Sequence, residues 1–288
     1  MRFGASTFIW ASPFGTDRLD LFEHVAGLGF DVLEICIEDP ALIDTDQVAA
    51  AAREAGAGVN VCGAFGPNRD VSSDDPDVRR QGAEYLNTCI DIAAAVGSEL
   101  VSGPMYSATG KTRLLPDDAR AQQRELAADG LRAAADYAAE RDVRLAIEPL
   151  NRFETDLVNT VRQGLDLCEA IGRDNAGLLL DTFHMNIEEK RIGDALRLAG
   201  DRLFELHACE NDRGTPGDGH VAWSEVCDAV VDLGFDGLIA IESFTPEIEE
   251  IARAVSMWRP VADGGDALAR DGLRFLRREL SARGAVPA

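Results

Sequence analysis

Four apolar runs each stop on a residue able to bind a metal ion, and their spacing narrows the possible folds more than any other feature. The runs are Leu145-Ala146-Ile147-Glu148, Leu178-Leu179-Leu180-Asp181, Phe204-Glu205-Leu206-His207 and Ile239-Ala240-Ile241-Glu242. Their last residues lie 33, 26 and 35 positions apart. Eight strand–helix units closing a barrel in ~250 residues take about 31 residues each. Four consecutive units of that length bring two Glu, one Asp and one His to a single rim.

Eight strand candidates follow in order, at 2–8, 32–37, 58–65, 100–106, 144–150, 177–183, 203–209 and 237–243. Most are continuous apolar runs rather than alternations, as expected of parallel strands covered on both faces. The segments between them have helical periodicity. Leu86, Ile90, Ala93 and Gly97 share a face, as do Val161, Leu165 and Cys168, then Ile192, Leu196 and Ala199, then Val226, Val230 and Leu233. Gly29, Gly97, Gly172, Gly200 and Gly234 stand where helices are expected to end. Strict alternation favours a closed (β/α)8 barrel over an open doubly wound sheet, and the first turn carries no GxGxxG fingerprint. Residues 266–282, with Leu268, Leu273, Phe275 and Leu276, are expected to form an extra C-terminal helix. No linker rich in Pro, Gly or Ser divides the 288 residues, so 1–288 is expected to be one domain.

The charge balance excludes several function classes. With 51 acids against 28 bases the chain carries −23, and only Lys111 and Lys190 are lysines. Such a surface repels nucleic acid and anionic membranes, which both demand clustered positive charge. It suits a salt-rich interior, where screening relieves self-repulsion. No stretch nears the ~18–20 apolar residues of a membrane span, and the start reads directly as a strand, so a cytoplasmic location is expected. Cys36, Cys62, Cys89, Cys168, Cys209 and Cys227 are scattered without a CxxC pair, and are expected to be reduced and buried.

Sites on such barrels are built at the C-terminal ends of the strands. Glu148, Asp181, His207 and Glu242 all fall there. One carboxylate so placed could equally cap a helix or pair with an Arg; four ligand-type residues in consecutive units point to a shared metal site. Three carboxylates and one imidazole favour Mn²⁺ or Mg²⁺, with Co²⁺ a further option, over zinc. Two octahedral positions would remain for a carbonyl and its neighbouring hydroxyl, and the ion would act as a Lewis acid toward the enediolate. Glu148 and Glu242, from the fifth and eighth strands, would approach from opposite sides. Two such carboxylates can take a proton from one face of a carbon and return one on the other, inverting it. His184, in Asp181-Thr182-Phe183-His184-Met185-Asn186, either caps a helix or donates to a substrate oxygen. Arg213 and His220 occupy a Gly-rich loop at 211–220, where Arg213 could clamp substrate hydroxyls and His220 serves either the loop or the ligand. His24 reads as a surface residue.

Four stretches make the resemblance specific: AIEPLNRFE at 146–154, DTFHMN at 181–186, HACENDRG at 207–214 and IESF at 241–244. They resemble the D-tagatose/D-psicose (ketose) 3-epimerases among the sugar isomerase/epimerase-like TIM barrels. The likeness spans nearly the whole chain, including Trp258-Arg259-Pro260. It implies Glu148, Asp181, His207 and Glu242 as ligands to manganese, with Glu148 and Glu242 as the acid/base pair at C3. It also implies that Glu154, His184 and Arg213 hold the substrate around O1 and O2, that Cys62 lines the pocket, and that the protein forms dimers or tetramers. From the residues alone Cys62 reads equally as a buried strand thiol. After strand four the resemblance leads to an aromatic over the distal end of the sugar, where Tyr106 stands, and Trp10 is a second aromatic at a strand end.

Related barrels include hydroxypyruvate or aldose–ketose isomerases and keto-inositol dehydratases, with similar metal chemistry. The combined Glu154, DTFH and NDRG pattern favours 3-epimerisation of a free ketose. No Gly-rich phosphate cradle precedes a helix. A repair endonuclease of similar fold needs more histidines than the four present and a less acidic surface. A non-catalytic sugar-binding protein would have no use for both proton-transfer carboxylates.

Overall fold

The apolar runs become eight short parallel strands in the computed structural model, which describes residues 1–287. They are β1 Arg2–Ser6, β2 Val32–Ile37, β3 Gly58–Gly63, β4 Leu100–Gly103, β5 Arg144–Ile147, β6 Ala176–Asp181, β7 Leu203–His207 and β8 Leu238–Ile241. They pair in chain order, and β8 closes on β1 from Arg2↔Leu238 to Ala5↔Ile241. The result is the (β/α)8 TIM barrel.

Alternate strand residues face opposite ways. On β2, Leu33, Ile35 and Ile37 join the large core between barrel and helices. Glu34 faces the barrel interior, where it meets residues of β3 and β7. Val32, Leu100, Ala146, Leu179, Phe204, Leu238 and Ala240 fill the lower interior. A register slip brings Phe204 there. Leu178 pairs with Leu203 but Leu179 pairs with Glu205, leaving Phe204 as the surplus residue. Gly177 makes the space, since a Cβ there would stand 2.6 Å from the Phe204 ring.

Helices α1 Asp20–Leu28, α2 Thr45–Ala55, α3 Pro76–Val96, α4 Asp117–Ala139, α5 Val161–Ile171, α6 Thr182–Glu188, α7 Ile192–Ala199, α8 Trp223–Asp232, α9 Glu249–Ala254 and α10 Gly265–Ser281 lie between and after the strands. The expected apolar faces turn inward: Leu86, Ile90, Ala93, Val161, Cys168, Ile192, Leu196, Ala199, Val226 and Val230 are buried, with Leu165 and Leu233 only partly so. Gly29, Gly97 and Gly172 cap α1, α3 and α5 in the left-handed region. Gly234 comes after the α8 cap at Leu233, and Gly200 opens a 3₁₀ turn instead of a left-handed cap. The extra C-terminal helix is α10, which buries Leu268, Leu273 and Leu276 and sets Phe275 edge-on against Trp223.

The expected strand ends need correction. All but the second run two or three residues too far. The chain leaves the sheet earlier because polar side chains at the strand ends cap the turn or helix beyond. Ser6 accepts from Phe8 N to start a 3₁₀ turn, and Asp181 accepts from Phe183 N at 2.7 Å to start α6. The apolar residues past the ends serve the mouth: Phe8 and Phe244 pack with Cys36, Cys62, Ala252 and Met257. All six cysteines are free and buried. Among the described residues, no helix is long and apolar enough to cross a membrane.

Candidate active site

Strand termini do the positioning. Asp181 and His207 are the last residues of β6 and β7, while Glu148 and Glu242 come immediately after β5 and β8. All four are buried, and a ligand atom from each lies within 4.8 Å of every other. His207 Nδ1 sits 3.7 Å from Glu242 Oε2. It is buried without a hydrogen-bond partner, an expensive condition unless something electrophilic faces it. Three carboxylates converging with an orphaned imidazole nitrogen fit a divalent cation, and the oxygen-rich donor set fits a hard one.

The electrostatics are those of crowded acids. Burial, and then Glu242, raise the Glu148 carboxyl well above its usual range. Burial also pushes Asp181 upward, but the Arg213 guanidinium and both imidazoles outweigh it and hold Asp181 low. For His207, burial opposes the charge, yet Glu34 and Glu242 prevail and raise it well above the usual imidazole range.

Arg213 enters this cluster. Its NH1 donates to Asp181 Oδ2 at 2.6 Å and to Glu242 Oε2 at 2.9 Å, and its guanidinium lies 4.0 Å from the Phe183 ring centre. In this arrangement it is a buried brace between two rim carboxylates. Its backbone is in the left-handed region, with φ of 65°. The loop that holds it there is anchored by Glu210, which accepts from Gly217 N at 2.9 Å, Val221 N at 2.8 Å and Trp223 Nε1 at 2.7 Å.

His184 lies on α6 with Nε2 3.6 Å from Glu148 Oε1. Its Nδ1 accepts from Asn151 N at 3.1 Å, and the Arg213 NH2 group stands 3.3 Å from Nε2. Burial lowers its proton affinity, which keeps the ring neutral. Asn151 also donates to Glu154 at 2.8 Å, linking these two expected substrate contacts. Cys62 is buried beside Cys36 at the mouth.

Other expectations fall elsewhere. His220 is exposed, and its backbone N–H donates to Asn211 within the loop. Trp10 donates to Asp266 on α10 and stands edge-on to His24, which contacts the same carboxylate at 2.8 Å. This pair ties the barrel's first loop and α1 to the last helix. Tyr106 is fully buried, with its hydroxyl donating to Val158 O and accepting from Leu150 N, so it props the loop after β5. Sequence reasoning missed Glu34, Asn60, Ser102 and Glu205, a buried polar group below the rim. The signal was present: a Glu inside each of the runs VLEICI and LFELH.

A family model described as "Xylose isomerase-like TIM barrel" matches residues 22–279. The chain belongs to this family. A Synechocystis protein named "Probable ketose 3-epimerase" is 35% identical over 96% of this chain and 96% of its own. The D-psicose 3-epimerase of Ruminiclostridium cellulolyticum is 32% identical over 92% of each. A solved L-ribulose 3-epimerase superposes with a TM-score of 0.93 at 32% identity, covering 99% of this chain and 96% of that one. These family relatives are carbohydrate epimerases, enzymes of the isomerase class.

Proposed function

We propose that the protein is a metal-dependent ketose 3-epimerase acting on a free ketose of the D-psicose, D-tagatose or L-ribulose type. The observation that carries this reading is the convergence of Glu148 and Glu242, from strands on opposite sides of the rim, on one buried point shared with Asp181 and His207. The named relatives support the same activity. The hard donor set supports manganese, with Mg²⁺ or Co²⁺ as substitutes.

When bound, the cation supplies Lewis-acid polarisation of the substrate carbonyl. The chain's own groups do the rest. One of Glu148 and Glu242 takes the C3 proton, and the other delivers a proton to the opposite face of the enediolate, inverting the centre. His184 and Glu154 hold the O1–O2 end, and Arg213 keeps Asp181 and Glu242 in place from behind. Because Arg213 is engaged with both carboxylates, it is a poor phosphate anchor, which favours the free sugar.

The test is incubation of Mn²⁺-loaded protein with D-fructose, D-tagatose and L-ribulose in D₂O, monitored by proton NMR. Deuterium at C3 together with the C3 epimer is the expected result. Deuterium at C1 with aldose formation would make the protein an aldose–ketose isomerase. Binding without exchange would leave only a sugar-binding role.

A further inference from the structure

Beneath the rim, the barrel interior holds a closed polar group that the proposed proton transfers do not use. Glu34, Asn60, Ser102 and Glu205 come from β2, β3, β4 and β7, and all are buried. Asn60 Nδ2 donates to Glu34 Oε2 at 2.9 Å and to Glu205 Oε1 at 2.9 Å. Ser102 Oγ bonds the other Glu205 oxygen. Above them stands His207, whose Nε2 lies 3.1 Å from Glu34 Oε1 and 3.2 Å from Oε2. Its opposite nitrogen, Nδ1, is the one that faces the rim without a partner.

From this juxtaposition we infer that Glu34 is a positioning residue for the metal site: it binds the Nε2–H of His207, fixing the tautomer and ring plane that aim Nδ1 at the carboxylate cluster. A histidine ligand whose outer N–H is held by a carboxylate is both better oriented and more basic. Asn60 serves the same end one step further out. By donating to both carboxylates it stops Glu34 from turning away and keeps Glu205, 3.9 Å from Nε2, from competing for the ring. The same amide argues against a second ion among Glu34, Glu205 and His207. Its N–H groups occupy Glu34 Oε2 and Glu205 Oε1, and a cation at the remaining Glu34 Oε1 would have to displace the Nε2 proton. The inference rests on the metal site proposed above, with one ion per chain.

The experiment compares Mn²⁺ binding by calorimetry in the wild type, Glu34→Gln and Glu205→Gln, with thermal melts as a control for folding. Glu34→Gln is expected to bind Mn²⁺ about 10- to 100-fold more weakly. Glu205→Gln, which keeps an acceptor for Asn60, is expected to stay within about threefold of wild type. Equal losses in both variants, or near-wild-type affinity in Glu34→Gln, overturn the assignment. So does a stoichiometry of two ions that falls to one in Glu34→Gln. A wild type that binds no Mn²⁺ instead removes the metal reading itself. Should Glu34→Gln not fold, imidazole ¹⁵N spectra of the Mg²⁺-loaded wild type decide, since the chain has four histidines. His207 protonated at Nε2 and unprotonated at Nδ1 is expected; the reverse tautomer overturns the role of Glu34.

Discussion

Glu210→Gln tests whether one buried carboxylate holds the loop that carries Arg213. Glu210 Oε2 accepts from Gly217 N at 2.9 Å and Trp223 Nε1 at 2.7 Å, while Oε1 accepts from Val221 N at 2.8 Å and, loosely, Asn211 N at 3.2 Å. Each oxygen thus serves two donors. Gln keeps one oxygen and turns an NH₂ group toward the other pair, so one buried donor, Val221 N or Trp223 Nε1, loses its acceptor together with a partly exposed one whichever way the amide faces. At ~1–3 kcal/mol for an orphaned buried donor, the folded loop loses about 1–3 kcal/mol. The loop can detach and solvate before the barrel melts, so the loss should appear first as local opening. Hydrogen exchange at the Gly217 and Val221 amides should accelerate at least ~5-fold, because each 1.36 kcal/mol is a factor of ten. Turnover should fall with it, because Ser243 and the rim carboxylates receive Arg213 only when the loop is seated. Exchange at these amides within about threefold of wild type, by mass spectrometry on the intact fold, would refute the anchoring argument.

Four further outcomes are expected. Glu148→Gln and Glu242→Gln should each reduce turnover by roughly 10²–10⁴ while a ketose still binds; a double variant with near-normal rate removes the two-carboxylate mechanism. Metal binding should release protons. Burial and Glu242 raise Glu148, and Glu34 and Glu242 raise His207, so both grip protons more tightly than usual against a cation that must displace them. Affinity should therefore rise with pH, and calorimetry in buffers of different ionisation heat should disagree; identical heats would contradict the assignment. Burial pushes Cys89 up to about 12 and Cys168 and Cys227 up to about 11, and all six thiols are buried. Iodoacetamide at pH 8 should leave the native protein unlabelled by mass, whereas urea should expose all six. Gly177→Ala should cost about 1–3 kcal/mol in urea unfolding, because its Cβ would meet the Phe204 ring at 2.6 Å and the Arg202 carbonyl at 2.7 Å. A neutral effect would mean that β7 can give way at its slip.

The barrel was legible because a parallel strand buried on both faces reads as an unbroken apolar run, and eight such runs recur at one spacing. The features that escaped are set by contacts rather than by runs. Helix α6 starts directly at the end of β6 without a linker, so Thr182 and Phe183 read as more strand until Asp181 is seen capping them. The pairing of Arg213 with Asp181 and Glu242 could not be read from the sequence, because they are 32 and 29 residues away. Only the left-handed turn at its own backbone brings the three together.

The polar group under the rim was hidden for a related reason: Asn60 and Glu205 are 145 residues apart, and an apolar run does not say which of its residues face inward. Once the ligand residues fix the inward phase, the period of two exposes it. Two positions before Glu148, Asp181 and Glu242 stand Ala146, Leu179 and Ala240; two before His207 stands Glu205. A carboxylate ligand has no far side that needs a partner, so small or apolar residues suffice below it. An imidazole does, because its second nitrogen points down into the barrel and would be orphaned on an apolar floor. The one strand of the four that ends on histidine is also the one with a charged residue in the layer beneath, and Glu34 lies in that same layer, within reach of Nε2. A polar interior is what the proposed use of one imidazole among the ligands requires.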